Sequence, residues 1–115
     1  MDDLTCLRDA LRKFAAERDW DQFHSPKNLA SALSVEAAEL LEPFQWLTDA
    51  ESRQLPEAQL AAVRKEMADV LLYLIRLADK LDVDLMTSAH AKIEENAAKY
   101  PVEQARGSNR KYTNL

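Results

Sequence analysis

Apolar residues recur at three- and four-residue steps along most of the chain, the period of one face of an α-helix. Leu4, Leu7, Leu11 and Phe14 form such a stripe and predict a first helix over about residues 3–19. The segment RDWDQFHSP follows, dense in aromatic and polar groups, and reads as a loop. Ser25 is placed to cap a second helix, with Pro26 in the first turn, where a missing N–H leaves no bond unmade. This helix runs to about Trp46 with a bend at Pro43, whose ring disturbs the preceding turn. After the polar connection LTDAESRQLPEAQ, Pro56 and Glu57 open a third helix that extends to Leu81. Its Val70, Leu71, Leu72, Leu74 and Ile75 leave little polar face, which is more apolar surface than a thin monomeric bundle hides, and a subunit interface is expected. Asp84 caps a fourth helix, about residues 85–99, stopped by Pro101.

Composition agrees with an all-α bundle of four main helices: of 115 residues one is glycine and four are proline, with 47% hydrophobic and 30% charged. No repeat, linker or low-complexity tract divides the chain, so residues 1–115 read as a single domain, with about 101–115 as a basic tail. The net charge of −5 argues against a nucleic-acid polymer as partner. A single cysteine, Cys6, forms no internal disulfide, and the acidic start MDDLTCLRD lacks a secretory pattern. The longest apolar run, Val70 to Ile75, falls far short of the roughly 20 residues that cross a bilayer. A cytoplasmic protein with no membrane partner is expected.

Glu36 breaks this pattern. It stands in the inward series Leu29, Leu33, Glu36, Leu40, Phe44, where a leucine would be expected. Glu39 lies one turn further on, and the third helix repeats the arrangement with Glu66 and Asp69. A three-residue step turns a helical side chain by about 300°, so each pair can converge on one point. If the two helices pack antiparallel, as their moderate connection permits, all four carboxylates can meet between them. Unpaired, they would repel one another and resist burial. A hard divalent cation removes the conflict, and magnesium in particular takes oxygen ligands while bridging carboxylates to substrate phosphates, with manganese a workable substitute. Either pair alone is ordinary for a solvated helix; the recurrence of EAAE as EMAD after 26 residues, each interrupting an apolar stripe, is not.

EAAELLEPFQW followed by EMADVLLYLIRLA resembles the E-x-x-E and E-x-x-D signature of the MazG-like all-α nucleoside triphosphate pyrophosphohydrolases. FAAERDWDQFHSPKNLA, FQW, KIEENAAKYP and RKYTNL further resemble the dCTP pyrophosphatase branch, in order from Phe14 to Tyr112. The resemblance implies hydrolysis of a nucleoside triphosphate, most of all dCTP or a base-modified dCTP, to monophosphate and pyrophosphate. It also implies magnesium dependence and a homo-oligomer, a dimer-based tetramer. Glu36, Glu39, Glu66 and Asp69 are then metal ligands and catalytic residues, with one glutamate, such as Glu39, orienting or deprotonating the attacking water.

Trp20, Phe23, His24 and Trp46 lie at the ends of the first two helices and can gather beside the acidic site, where aromatic stacking on a base contributes about 1–3 kcal/mol. The resemblance places Trp46 at the base pocket. Closure of the core is the competing role for these rings. Tyr73, one turn beyond Asp69, is a candidate for the deoxyribose pocket. Lys92, Asn96 and Lys99 recur along one side of the fourth helix, and the resemblance assigns Lys92 to phosphate and Asn96 to the sugar or phosphate region. Lys99, Arg106, Arg110 and Lys111 face one acid, Glu103, in the tail. In the family such a tail reaches the phosphates, so Arg110 and Lys111 join the substrate-binding candidates. Leu11 stands where the dCTP branch carries a histidine-type residue, a departure that bears on base preference. Two other readings compete. A di-iron carboxylate bundle needs a glutamate three residues before histidine, whereas Thr87 precedes His90 and Asp21 precedes His24. A non-catalytic helical interaction module would show no metal-dependent nucleotide binding.

Overall fold

The structure is a computed structural model that describes residues 2–115. Six α-helices and three short 3₁₀ turns account for its order, and no strand occurs among the described residues. The long helices are α1 (Asp3–Glu17), α2 (Pro26–Leu41), α4 (Glu57–Lys80) and α5 (Leu85–Lys99); α3 (Asp49–Ser52) and α6 (Val102–Ala105) are single turns. The chain divides into two compact units, one ending at Asp82 and one over Val83–Leu115.

Within the first unit, α1 and α2 both pack on α4, and α2 makes the more extensive contact. Leu29, Val63, Ile75, Ala78 and Ala15 are its buried apolar positions. Local chemistry sets the boundaries. Asp2 caps α1 by accepting from the Thr5 N–H at 2.7 Å. At the other end Asp19 takes a left-handed conformation with φ 55°, while the Trp20 N–H donates to the Ala15 carbonyl at 2.9 Å and the Asp19 N–H to Ala16 at 3.2 Å. This is the Schellman arrangement, with aspartate in the place glycine usually takes. It turns the chain so that Trp20 folds back against α1.

Ser25 caps α2 through the Asn28 N–H, with Pro26 in the first turn, as its sequence predicts. The α-helix closes at Leu41 and a 3₁₀ turn, Glu42–Phe44, continues it in place of the bent helix expected to Trp46. Pro43 has no N–H to bond four residues back, so the last turn tightens to a three-residue step, with the Glu42 N–H on the Glu39 carbonyl. A capping box at Thr48 and Glu51 holds α3.

In the second unit, Asp84 caps α5 through the Thr87 N–H at 3.0 Å. Lys92 and Lys99 flank Glu95 at 3.3 and 3.2 Å, and Tyr100 meets Tyr112 edge to face at 5.9 Å between ring centroids. No helix of the described residues is long and apolar enough to cross a membrane.

Candidate active site

The contact of α2 with α4 joins two stripes that would be apolar but for one residue each. Glu36 follows Leu29 and Leu33 on α2, and Glu66 follows Val63 on α4. Burial of Leu29 and Val63 therefore carries both glutamates inward. Glu36, Glu39 and Glu66 each bring a carboxylate oxygen within 4.8 Å of the others. One oxygen of Glu36 and one of Glu66, Oε2 in both, are buried without a hydrogen-bond partner. Asp69 lies outside this triad and is exposed, yet its charge reaches both residues.

The electrostatics follow from that crowding. Burial, then the hydrogen bond and charge of Glu39, then the charges of Asp69 and Glu66 push the Glu36 carboxyl up to about 7. Glu66 moves in the same direction for the same reasons, burial first, with a hydrogen bond from Glu36 opposing the rise. No lysine or arginine among the described residues forms an ion pair with any of the four carboxylates. Oxygens without donors, held together by burial, are a donor set suited to a hard divalent cation. Glu36, Glu39 and Glu66 would hold such an ion, with Asp69 beside them.

A pocket of about 410 Å³ opens beside Asp69, walled by Leu7, Leu11, Phe14, Trp20, His24, Leu72, Tyr73 and Arg76. Phe14 and Trp20 meet edge to face at 5.7 Å, and Trp20 meets His24 likewise at 6.5 Å. Arg76, only 5% exposed, donates from Nε to His24 Nδ1 at 3.1 Å and pairs with Asp21 and Asp79. Burial first, and the charges of Arg76 and Lys80 next, hold His24 below the usual histidine range, with Asp21 opposing.

The structure thus gathers Trp20, His24, Tyr73 and Asp69 around one pocket. Phe23 and Trp46 are not among its walls and are 59% and 86% exposed. Lys92, Asn96 and Lys99 lie on α5 of the second unit, where Lys99 also sits 5.0 Å from the Tyr112 ring. Arg110 lines an open cleft of that unit with Gly107, Ser108 and Asn109, and Lys111 is exposed. Sequence reasoning passed over Arg76. Its signal was the same as that of Glu36: a charge inside an apolar run, LLYLIRLA.

Residues 31–115 match the MazG-like family. The chain belongs to the MazG-like family. The match includes all four carboxylates and crosses both units. Among curated relatives, dCTP pyrophosphatase 1 of Mus musculus is 48% identical over 111 residues, covering 95% of this chain and 65% of its own. The Homo sapiens protein of the same name is 48% identical over 111 residues with the same coverage, 95% and 65%. The chain therefore spans just under two thirds of the length of these relatives. Among solved structures, the crystal structure of a pyrophosphatase from Archaeoglobus fulgidus superposes with a TM-score of 0.82 at 40% identity, over 88% of this chain and 94% of that one.

Proposed function

We propose that this MazG-like chain is a divalent-metal-dependent nucleoside triphosphate pyrophosphohydrolase that converts a dNTP, dCTP or a base-modified dCTP above others, to the monophosphate and pyrophosphate. The observation that carries the reading is the inward carboxylate triad with two orphaned oxygens, set beside an aromatic-walled pocket. The relatives named dCTP pyrophosphatase 1 support the base, and the archaeal pyrophosphatase supports the reaction class.

Water adds across the α–β phosphoanhydride, the bond to the pyrophosphate oxygen breaks, and a proton passes from the water to a carboxylate. Magnesium bound at this site would supply positive charge against the phosphate oxygens and acidify water. Glu36, Glu39 and Glu66 would hold the ion with Asp69 as a fourth ligand, and Glu39 would orient or deprotonate the water. Trp20, His24 and Tyr73 receive the base and sugar, with Asp69 at the boundary between pocket and triad. Lys92, Asn96, Lys99, Arg110 and Lys111 remain candidates for binding phosphate and sugar, and Phe23 and Trp46 for stacking on the base. Met67, Leu71 and Leu74 share one face of α4 and are 57%, 40% and 37% exposed, a surface suited to a second copy in a dimer-based tetramer.

The test is a panel of the four canonical dNTPs, 5-methyl-dCTP and CTP, each with and without magnesium, with nucleotide products resolved by chromatography. Monophosphate and pyrophosphate formed only with magnesium, fastest from the cytosine deoxynucleotides, are expected. Intact triphosphates with folded, metal-loaded protein would instead favour the helical interaction module.

A further inference from the structure

Within that reading of the pocket, we propose that Arg76 is a positioning residue: it fixes His24 as a neutral ring with its proton on Nε2, so that the pocket selects a nucleobase presenting a hydrogen-bond acceptor to that N–H. A guanidinium has donors only and does not deprotonate in proteins. The His24 nitrogen that receives Arg76 Nε, Nδ1 at 3.1 Å, must therefore be bare. The proton of the neutral ring then sits on the other nitrogen, because each ring nitrogen's state is set by the bond its partner makes.

Each nitrogen of Arg76 already has a protein partner. Nε serves His24, Nη2 serves Asp21 and Nη1 serves Asp79. These partners come from the turn after α1 and from α4 itself, so the guanidinium is held from both sides while it lines the pocket. The charged groups acting on His24 are Arg76 and Lys80 of α4 and Asp21 of the turn, and their balance, with burial, favours the neutral ring. Leu7, Leu11 and Phe14 also line the pocket and offer a base contact area and no hydrogen bond. Among the polar side chains of this wall, which include Trp20, Asp69 and Tyr73, His24 is the one whose donor nitrogen Arg76 fixes.

Two measurements on the full chain test this. Imidazole nitrogen NMR of the ¹⁵N-labelled protein at neutral pH should show His24 with a bare Nδ1 and a protonated Nε2, and in Arg76→Met a mixture of tautomers or a doubly protonated ring. A protonated Nδ1 in the wild type would overturn the proposal. For selectivity, kcat/KM is compared for dCTP and for a phenyl C-deoxyriboside triphosphate, which stacks as a base does and has no acceptor. Loss of one hydrogen bond should reduce the wild-type preference for dCTP about tenfold in Arg76→Met. His24→Phe should reduce it equally while leaving the Arg76 pairs with Asp21 and Asp79 in place, so a folding defect of the arginine variant does not decide the outcome. Equal losses on both triphosphates in both variants would reduce Arg76 and His24 to structural parts. Failure of the wild type to hydrolyse either triphosphate would overturn the hydrolase reading itself, and the NMR result would still show whether Arg76 sets the ring.

Discussion

Without a cation, Glu36 and Glu66 each keep an oxygen away from both water and any donor, beside the charge of Glu39. Such a cluster opposes folding of the metal-free chain and favours whatever neutralises it. Glu36→Gln should therefore raise the melting temperature of the metal-free protein by several degrees and remove most of the further rise that magnesium brings to the wild type. Paired thermal melts with and without magnesium check both. Glu39→Gln and Asp69→Asn are expected to keep the helical circular dichroism spectrum and abolish magnesium-dependent turnover; turnover retained in both would sink the metal assignment. The inward place of Glu36 was legible from its neighbours Leu33 and Leu40, because a helix repeats its faces in three- and four-residue steps. The involvement of His24 in an arginine network was not legible, since its partner Arg76 lies 52 residues away.

At the level of elements, α2 carries two of the four carboxylates, so its start matters to the site. The Ser25 hydroxyl satisfies the Asn28 N–H at 3.1 Å, and Ser25→Ala should cost about 1 kcal/mol of stability, read as a lower urea midpoint with an unchanged slope. Leu29 is 1% exposed and anchors the same helix against α4; Leu29→Ala should cost about 2–5 kcal/mol by loss of transfer energy and the cavity left behind. Helix starts were readable because caps are local chemistry: Asp2, Ser25 and Asp84 all accept from the N–H three residues on. The close of α2 was less readable. Pro43 was expected to bend a continuing helix, whereas loss of its N–H converts the next turn to 3₁₀.

Across the first unit, α1 is tied to α4 by the two-pronged contact of Arg12 with Asp79, whose side chain is 10% exposed. The hydrogen bond from Arg12, aided by the charges of Arg12, Arg76 and Arg8, holds Asp79 below the ordinary carboxylate value of 3.8 against its burial. A lowered folded-state pKa means that this stability is present above the unfolded value and is lost as pH falls through the folded one. Asp79→Asn should thus be less stable than the wild type at pH 7, with the difference shrinking as pH drops below 3.8, as followed by chemical denaturation across pH. For the assembly, the exposed line of Met67, Leu71 and Leu74 predicts that Leu71→Glu lowers the sedimenting mass of the protein. An unchanged mass would leave that face outside any interface.

Helix placement, the inward glutamates and the family signature EAAE…EMAD depend on periodicity and on side chains a few residues apart, and the amino-acid sequence alone determined them. Which carboxylates come together was decided only by the packing of α2 on α4, which draws Glu36, Glu39 and Glu66 into one cluster and leaves Asp69 at the pocket wall. The pocket belongs to tertiary structure for the same reason. Trp20 enters it because Asp19 accepts a left-handed turn at the end of α1, and Arg76 enters it because α4 presents that face to Asp21 and His24. Periodicity reports which face of a helix is inward, but the partners it meets there are set by packing between elements distant in the chain.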